Sequence, residues 1–135
     1  MSPEQLLGNV DPADVTVVAD LEAGIGTLTR LADGAVDIVL IVVEPVPKSM
    51  EVGTRAAAAA AAKGIGRLVI VANRVRDAAD LDAITTAFPG HEIVVVPDDG
   101  AIVEADRRGV APLDMAPQAP AVQALSALAE RLVPV

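Results

Sequence analysis

Four near-continuous runs of β-branched and aliphatic residues set the limits on how this chain can fold: VTVVA (Val15–Ala19), DIVLIVV (Asp37–Val43), RLVIVAN (Arg67–Asn73) and EIVVVP (Glu92–Pro97). A strand with one wet face alternates apolar and polar residues. A run without alternation marks a strand covered on both faces, which is the habit of parallel sheets. Parallel neighbours need a crossover connection, usually a helix. Helical stretches indeed lie between the runs. GTLTRLAD (Gly26–Asp33) is short. SMEVGTRAAAAAAAKG (Ser49–Gly64) has Ser49 as its expected N-cap and ends on Lys63 and Gly64. DAADLDAITTAF (Asp77–Phe88) opens with acids and stops before Pro89 and Gly90, and DDGAIVEADRRG (Asp98–Gly109) ends on two arginines and a glycine. PAVQALSALAERLV (Pro120–Val133) places proline at a first helical position. The pattern predicts an α/β fold, a three-layer αβα sandwich on a mainly parallel sheet, in one domain spanning residues 1–135.

With 53% apolar residues and Phe88 as the sole aromatic, the core must be built from Val, Ile, Leu and Ala. The alanine run Ala56–Ala62 suits a helix packed close on a sheet. A net charge of −9 argues against direct contact with a nucleic-acid backbone. The absence of cysteine excludes disulfides, thiolate nucleophiles and Cys-based metal sites. The first residues, MSPEQLLGNVDPAD, carry no basic or apolar export segment, and IVLIVV is far short of the roughly 20 residues that span a bilayer. These features lead us to expect a cytoplasmic protein without a membrane partner.

Open parallel sheets bind ligands beyond the carboxyl ends of their strands. Asp20, Glu22 and Gly24 follow the first run, and Glu44, Pro45 and Ser49 the second. Asn73 and Arg74 close the third, and Pro97, Asp98 and Asp99 the fourth. Two phosphate motifs can be tested there. GIGTLT (Gly24–Thr29) is a G-x-G-x-x-G with threonine at the third glycine, and Glu44 lies where an acid would hold a ribose hydroxyl. The fingerprint should start at the strand end, however, and DLEA intervenes. A dinucleotide-binding enzyme therefore ranks last. The P-loop motif G-x-x-x-x-G-K-[ST] does not occur, and AKGIGRL runs from helix to strand, the reverse of a phosphate cradle.

Taken in order, VVADLEAGIGTLTR, DIVLIVVEPVPKS, IGRLVIVANRV and VVVPDDGAIVEADRRGVAPLD resemble the later part of the MinD/ParA-like P-loop ATPases. The branch most similar is the nickel-insertion ATPase that matures carbon monoxide dehydrogenase. The resemblance implies a P-loop-NTPase-like domain lacking the Walker A strand and loop. It implies that Asp20 matches the Walker B-type aspartate near magnesium, and that Glu22, Ala23 and Gly24 match the switch segment that senses the γ-phosphate. By the same resemblance Asn73 reads the adenine edge, while Pro97 and Asp98 close over the base. ATP or ADP with Mg would then be held only in a site completed by a partner.

Each residue also has a structural reading. Asp20 and Asp98 suit helix caps, and Asn73 suits a turn. His91 reads as a surface residue, and Asp80 with Asp82 as a solvated helix face. Asp106, Arg107 and Arg108 read as a helix end with salt bridges. The expectation is a non-catalytic, truncated relative of these ATPases, acting as a nucleotide-site remnant or a protein-interaction and regulatory module. The alternative is one half of a split ATPase whose P-loop comes from a partner chain. The expected assembly is a homodimer through Val15–Ala19 and the Ala-rich or C-terminal helix, or a complex with a P-loop-bearing protein.

Overall fold

A computed structural model describes residues 15–21, 28, 30 and 36–133. Three strands form one parallel sheet in the order β1 (Ile38–Val43), β2 (Arg67–Val75), β3 (Glu92–Pro97). Helices α1 (Pro47–Ala62) and α2 (Ala78–Ala87) make the two crossovers, and α3 (Gly100–Arg108), α4 (Pro112–Met115) and α5 (Pro120–Leu132) follow β3. Ile41, Val43, Ile70 and Ala72 pack with Ala57 of α1, Ile84 of α2 and Phe88 on one face of the sheet. Val69, Val71, Val94 and Val96 pack under Ala121 and Leu128 of α5 on the other, with Ile102 of α3 beside them. The expected αβα sandwich is present, and its sheet is parallel throughout the described residues.

Helix ends follow local chemistry, with three departures from expectation. Helix α1 begins at Pro47, after an extended Val46, because proline's fixed φ and missing N–H suit the first helical position. Ser49 is therefore inside the helix. Instead of capping, its hydroxyl accepts the Glu44 N–H at 2.9 Å and closes the turn from β1 into α1. Asp77 caps α2 by accepting the Asp80 N–H at 2.9 Å. Asp80 is the second correction: it is buried, not solvated. Its carboxylate accepts the Arg76 backbone N–H at 2.9 Å and the Arg76 guanidinium at 3.0 and 3.3 Å. Those bonds hold its pKa below the ordinary carboxylate value. Asp82 stays exposed.

The third departure concerns Val15–Ala19, which forms no strand. The segment is exposed along its length, with Val18 at 88%. An extended run is stable only when a neighbour takes its main-chain hydrogen bonds. Beta1 pairs with β2, and none of the described residues supplies a partner for Val15–Ala19. Glu22, Gly24 and most of Gly26–Asp33 lie outside the described residues.

Gly53 explains how α1 approaches the sheet so closely. A Cβ there would stand 2.5 Å from Val43 Cγ1 and 3.0 Å from Phe88 Cζ.

Candidate functional site

The carboxyl ends of the three strands converge through one arginine. Between Ala72 and Val75 the β2–β3 register slips by a residue, since Ala72 pairs with Val95 and Val75 with Pro97. The extra residue makes a bulge, and Arg74 within it adopts φ +59°. Non-glycine residues rarely occupy that left-handed region, and they cluster where local geometry serves a site. Here the bulge aims Arg74 across the sheet's end. Its Nη1 donates to Glu44 Oε1 at 3.3 Å, beyond β1, and its Nε donates to Asp98 Oδ1 at 3.4 Å, beyond β3. The hydrogen bonds to Asp98 and then Glu44 raise the Arg74 pKa further above its ordinary value. All three side chains remain substantially exposed, so the cluster orients groups more than it stabilises the fold.

Asn73 sits beside Arg74, half-buried and one residue beyond the last β1–β2 pair, Val43 with Ala72. Among the described residues nothing hydrogen-bonds its side-chain amide. An amide with a free donor and a free acceptor at a strand's carboxyl end can read a planar, two-edged hydrogen-bonding group such as a nucleobase. Pro97 ends β3, and the Asp98 N–H donates to Val75 O at 3.0 Å, prolonging the ladder into the loop. Asn73, Pro97 and Asp98 thus come from adjacent strand ends.

Asp98 is no cap. That role belongs to Asp99, the second of the two acids that open the DDGAIVEADRRG stretch. One Asp99 oxygen accepts the Ala101 N–H at 3.0 Å and caps α3, and the other accepts the Ala121 N–H at 3.0 Å at the start of α5. The bonds to Ala121 and then Ala101 lower its pKa. The only sequence signal for this was an acid one residue before the helix. The contact with α5 comes from a segment 22 residues away.

Asp20 is exposed and irregular, so it does not stand at a strand end. No group of three or more His, Cys, Asp or Glu among the described residues could hold a metal ion. His91 is exposed and meets Phe88 edge-on, 6.2 Å between ring centroids. Arg107 and Arg108 pair with Glu104, not with Asp106. No described helix is long and apolar enough to cross a membrane.

No protein-family model matches the chain. Over 121 residues, 87% of its length, the chain is 31% identical to the carbon monoxide dehydrogenase accessory protein CooC of Rhodospirillum rubrum. The chain is a relative of that accessory protein. The likeness agrees with the family resemblance read from the DLEAG, EP, NRV and PDD segments, and with the αβα architecture. The chain spans only 46% of the length of that relative. The Glu44–Arg74–Asp98 cluster and the Asn73 amide share the carboxyl rim of the sheet.

Proposed function

We propose that this chain is a non-catalytic, CooC-like module of metalloenzyme maturation that presents the base-binding part of a nucleotide site, Asn73, Pro97 and Asp98, to a partner. The observation that supports it best is the half-buried, unengaged Asn73 amide set at a bulged strand end beside Pro97 and Asp98. The module is one P-loop-NTPase-like domain over residues 1–135. Asp20, Glu22 and Gly24 form its phosphate and switch region, and Asp20 meets magnesium only if a partner completes the site. The printed sequence holds no G-x-x-x-x-G-K-[ST] motif, so it has no cradle of main-chain N–H groups for phosphates and no lysine to neutralise them.

The expected chemistry follows from that division. An adenine edge gains hydrogen bonds from Asn73, while the triphosphate meets a chain of net charge −9 without compensation. Binding by this chain alone should be weak, roughly millimolar or about −4 kcal/mol. Calorimetry with ATP checks this. Micromolar affinity for the lone chain defeats the reading, as does binding that is unchanged in Asn73→Ala. Steady phosphate release lost in Asp20→Ala would defeat the non-catalytic part.

A second reading is one half of a split ATPase, with the P-loop on another chain. The free outer edge of β1 favours it, because no described strand pairs there. Mixing the chain with a candidate P-loop protein and measuring phosphate release separates the two readings.

A further inference from the structure

From the Arg74–Asp98 contact we infer that Arg74 is a specificity-determining residue: it masks a carboxylate that would otherwise select guanine, and so leaves the rim to adenine. This rests on the base-site reading above and adds to it the residue that chooses between purines.

Asp98 is the acid with accepting capacity to spare. Both oxygens of its neighbour Asp99 are engaged, by the Ala101 and Ala121 N–H groups. Asp98 is fixed at the end of the β2–β3 ladder by its own N–H, which donates to Val75 O at 3.0 Å, and its side chain is 40% exposed. Among the described residues its carboxylate accepts one hydrogen bond, from Arg74 Nε to Oδ1 at 3.4 Å. Oδ2 stays open to a ligand.

The two purines respond to such a carboxylate in opposite ways. An asparagine amide pairs with adenine through N6–H and N7. A base held in that way by Asn73 has its N1 and C2 positions left to meet a neighbouring strand end, and Asp98 stands at the end of β3. Adenine carries a bare acceptor at N1, which a free carboxylate repels. Guanine carries N–H donors on both N1 and N2, which the two oxygens of a free carboxylate accept together, and hydrogen bonds to an ionised acceptor are roughly twice as strong as neutral ones. The Arg74 guanidinium removes that advantage by neutralising Asp98 and occupying Oδ1.

The fold holds Arg74 in this place at a cost. The β2 bulge keeps it at φ +59°, and Glu44 holds Nη1 at 3.3 Å, which leaves Nε for Asp98. Arg76, two residues on, is held by the buried Asp80 and does not replace it.

The test titrates the full 135-residue chain with AMP and with GMP, followed by NMR. The two ligands carry the same phosphate, so the ratio of their affinities isolates the base. The intact chain should bind AMP more tightly. Arg74→Gly, and independently Arg74→Ala, should shift the ratio toward GMP at least tenfold, about 1.4 kcal/mol, with the circular dichroism spectrum kept. Adding Asp98→Asn to either variant should abolish the shift, because an amide cannot accept two donors as a carboxylate does. Arg108→Ala, which removes the same charge from the far end of α3, should leave the ratio unchanged. Equal weakening of both nucleotides by the Arg74 variants overturns the proposal, since it would make Arg74 a purely structural residue. A shift that survives Asp98→Asn overturns it too, and so does a lack of binding by every variant, which defeats the base-site reading as well. AMP binding that is unchanged in Asn73→Ala defeats the Asn73 reading alone, and the response of the ratio to Arg74 and Asp98 still decides this one.

Discussion

The Asp99 carboxylate accepts the Ala121 main-chain N–H at 3.0 Å while its other oxygen caps α3 through Ala101. One side chain therefore ties the starts of two helices together, at the sheet end where the candidate site lies. Asp99→Ala should lower the urea midpoint further than Asp77→Ala, which removes a cap from α2 alone. It should also speed hydrogen exchange at Ala101 and Ala121 together. An effect confined to Ala101 would show that the link to α5 is dispensable.

Stability should fall steeply in acid. Hydrogen bonds and ion pairs depress the pKa values of Asp80, through Arg76, and of Glu92, through Arg67, and main-chain bonds depress that of Asp99. A carboxyl with a folded pKa below its unfolded one stabilises the fold fully above the unfolded value, about 3.9–4.3. That stability disappears as pH drops through the folded values. Urea midpoints measured downward from pH 6 should be flat, then decline below about pH 4.5. Asp80→Asn should flatten part of the decline, and an unchanged slope would refute the assignment.

Gly53→Ala should destabilise the protein although alanine is the better helix former. The propensity gain is about 1 kcal/mol. The added methyl meets Val43 Cγ1 at 2.5 Å and Phe88 Cζ at 3.0 Å, and overpacking of that kind costs about 1–3 kcal/mol. A thermal unfolding scan decides the sign. A higher midpoint would mean that α1 can lift from the sheet without loss.

Arg74 separates backbone strain from ion pairing. Arg74→Gly removes the guanidinium but accepts φ +59° freely, whereas Arg74→Ala removes it and keeps the strain. The glycine variant should be the more stable of the two in urea. Both should loosen Asp98 and Glu44, which lose their shared partner. If the two variants unfold together, the bulge relaxes once the arginine is gone.

The runs Asp37–Val43, Arg67–Asn73 and Glu92–Pro97 were legible as buried parallel strands because their side-chain chemistry repeats without a polar phase. Asp77 and Pro120 mark helix starts by purely local means, namely a carboxylate in reach of the next turn or a fixed φ, whereas α1 starts at Pro47, two residues before the expected Ser49. The ordered DLEAG, EP, NRV and PDD segments likewise made the family resemblance visible from sequence alone, and the likeness to CooC agrees with it. Tertiary structure alone decided the rest. Val15–Ala19 has the composition of a strand, but pairing needs a neighbour, and composition cannot supply one. Asp80 looked like any acid on a helix until Arg76 folded back to meet it. The choice between Asp98 and Asp99 as cap, and the turn of Arg74 toward both Glu44 and Asp98, depend on elements more than 20 residues apart. Local sequence fixes which conformations are cheap, and only packing determines which distant groups come within hydrogen-bond reach.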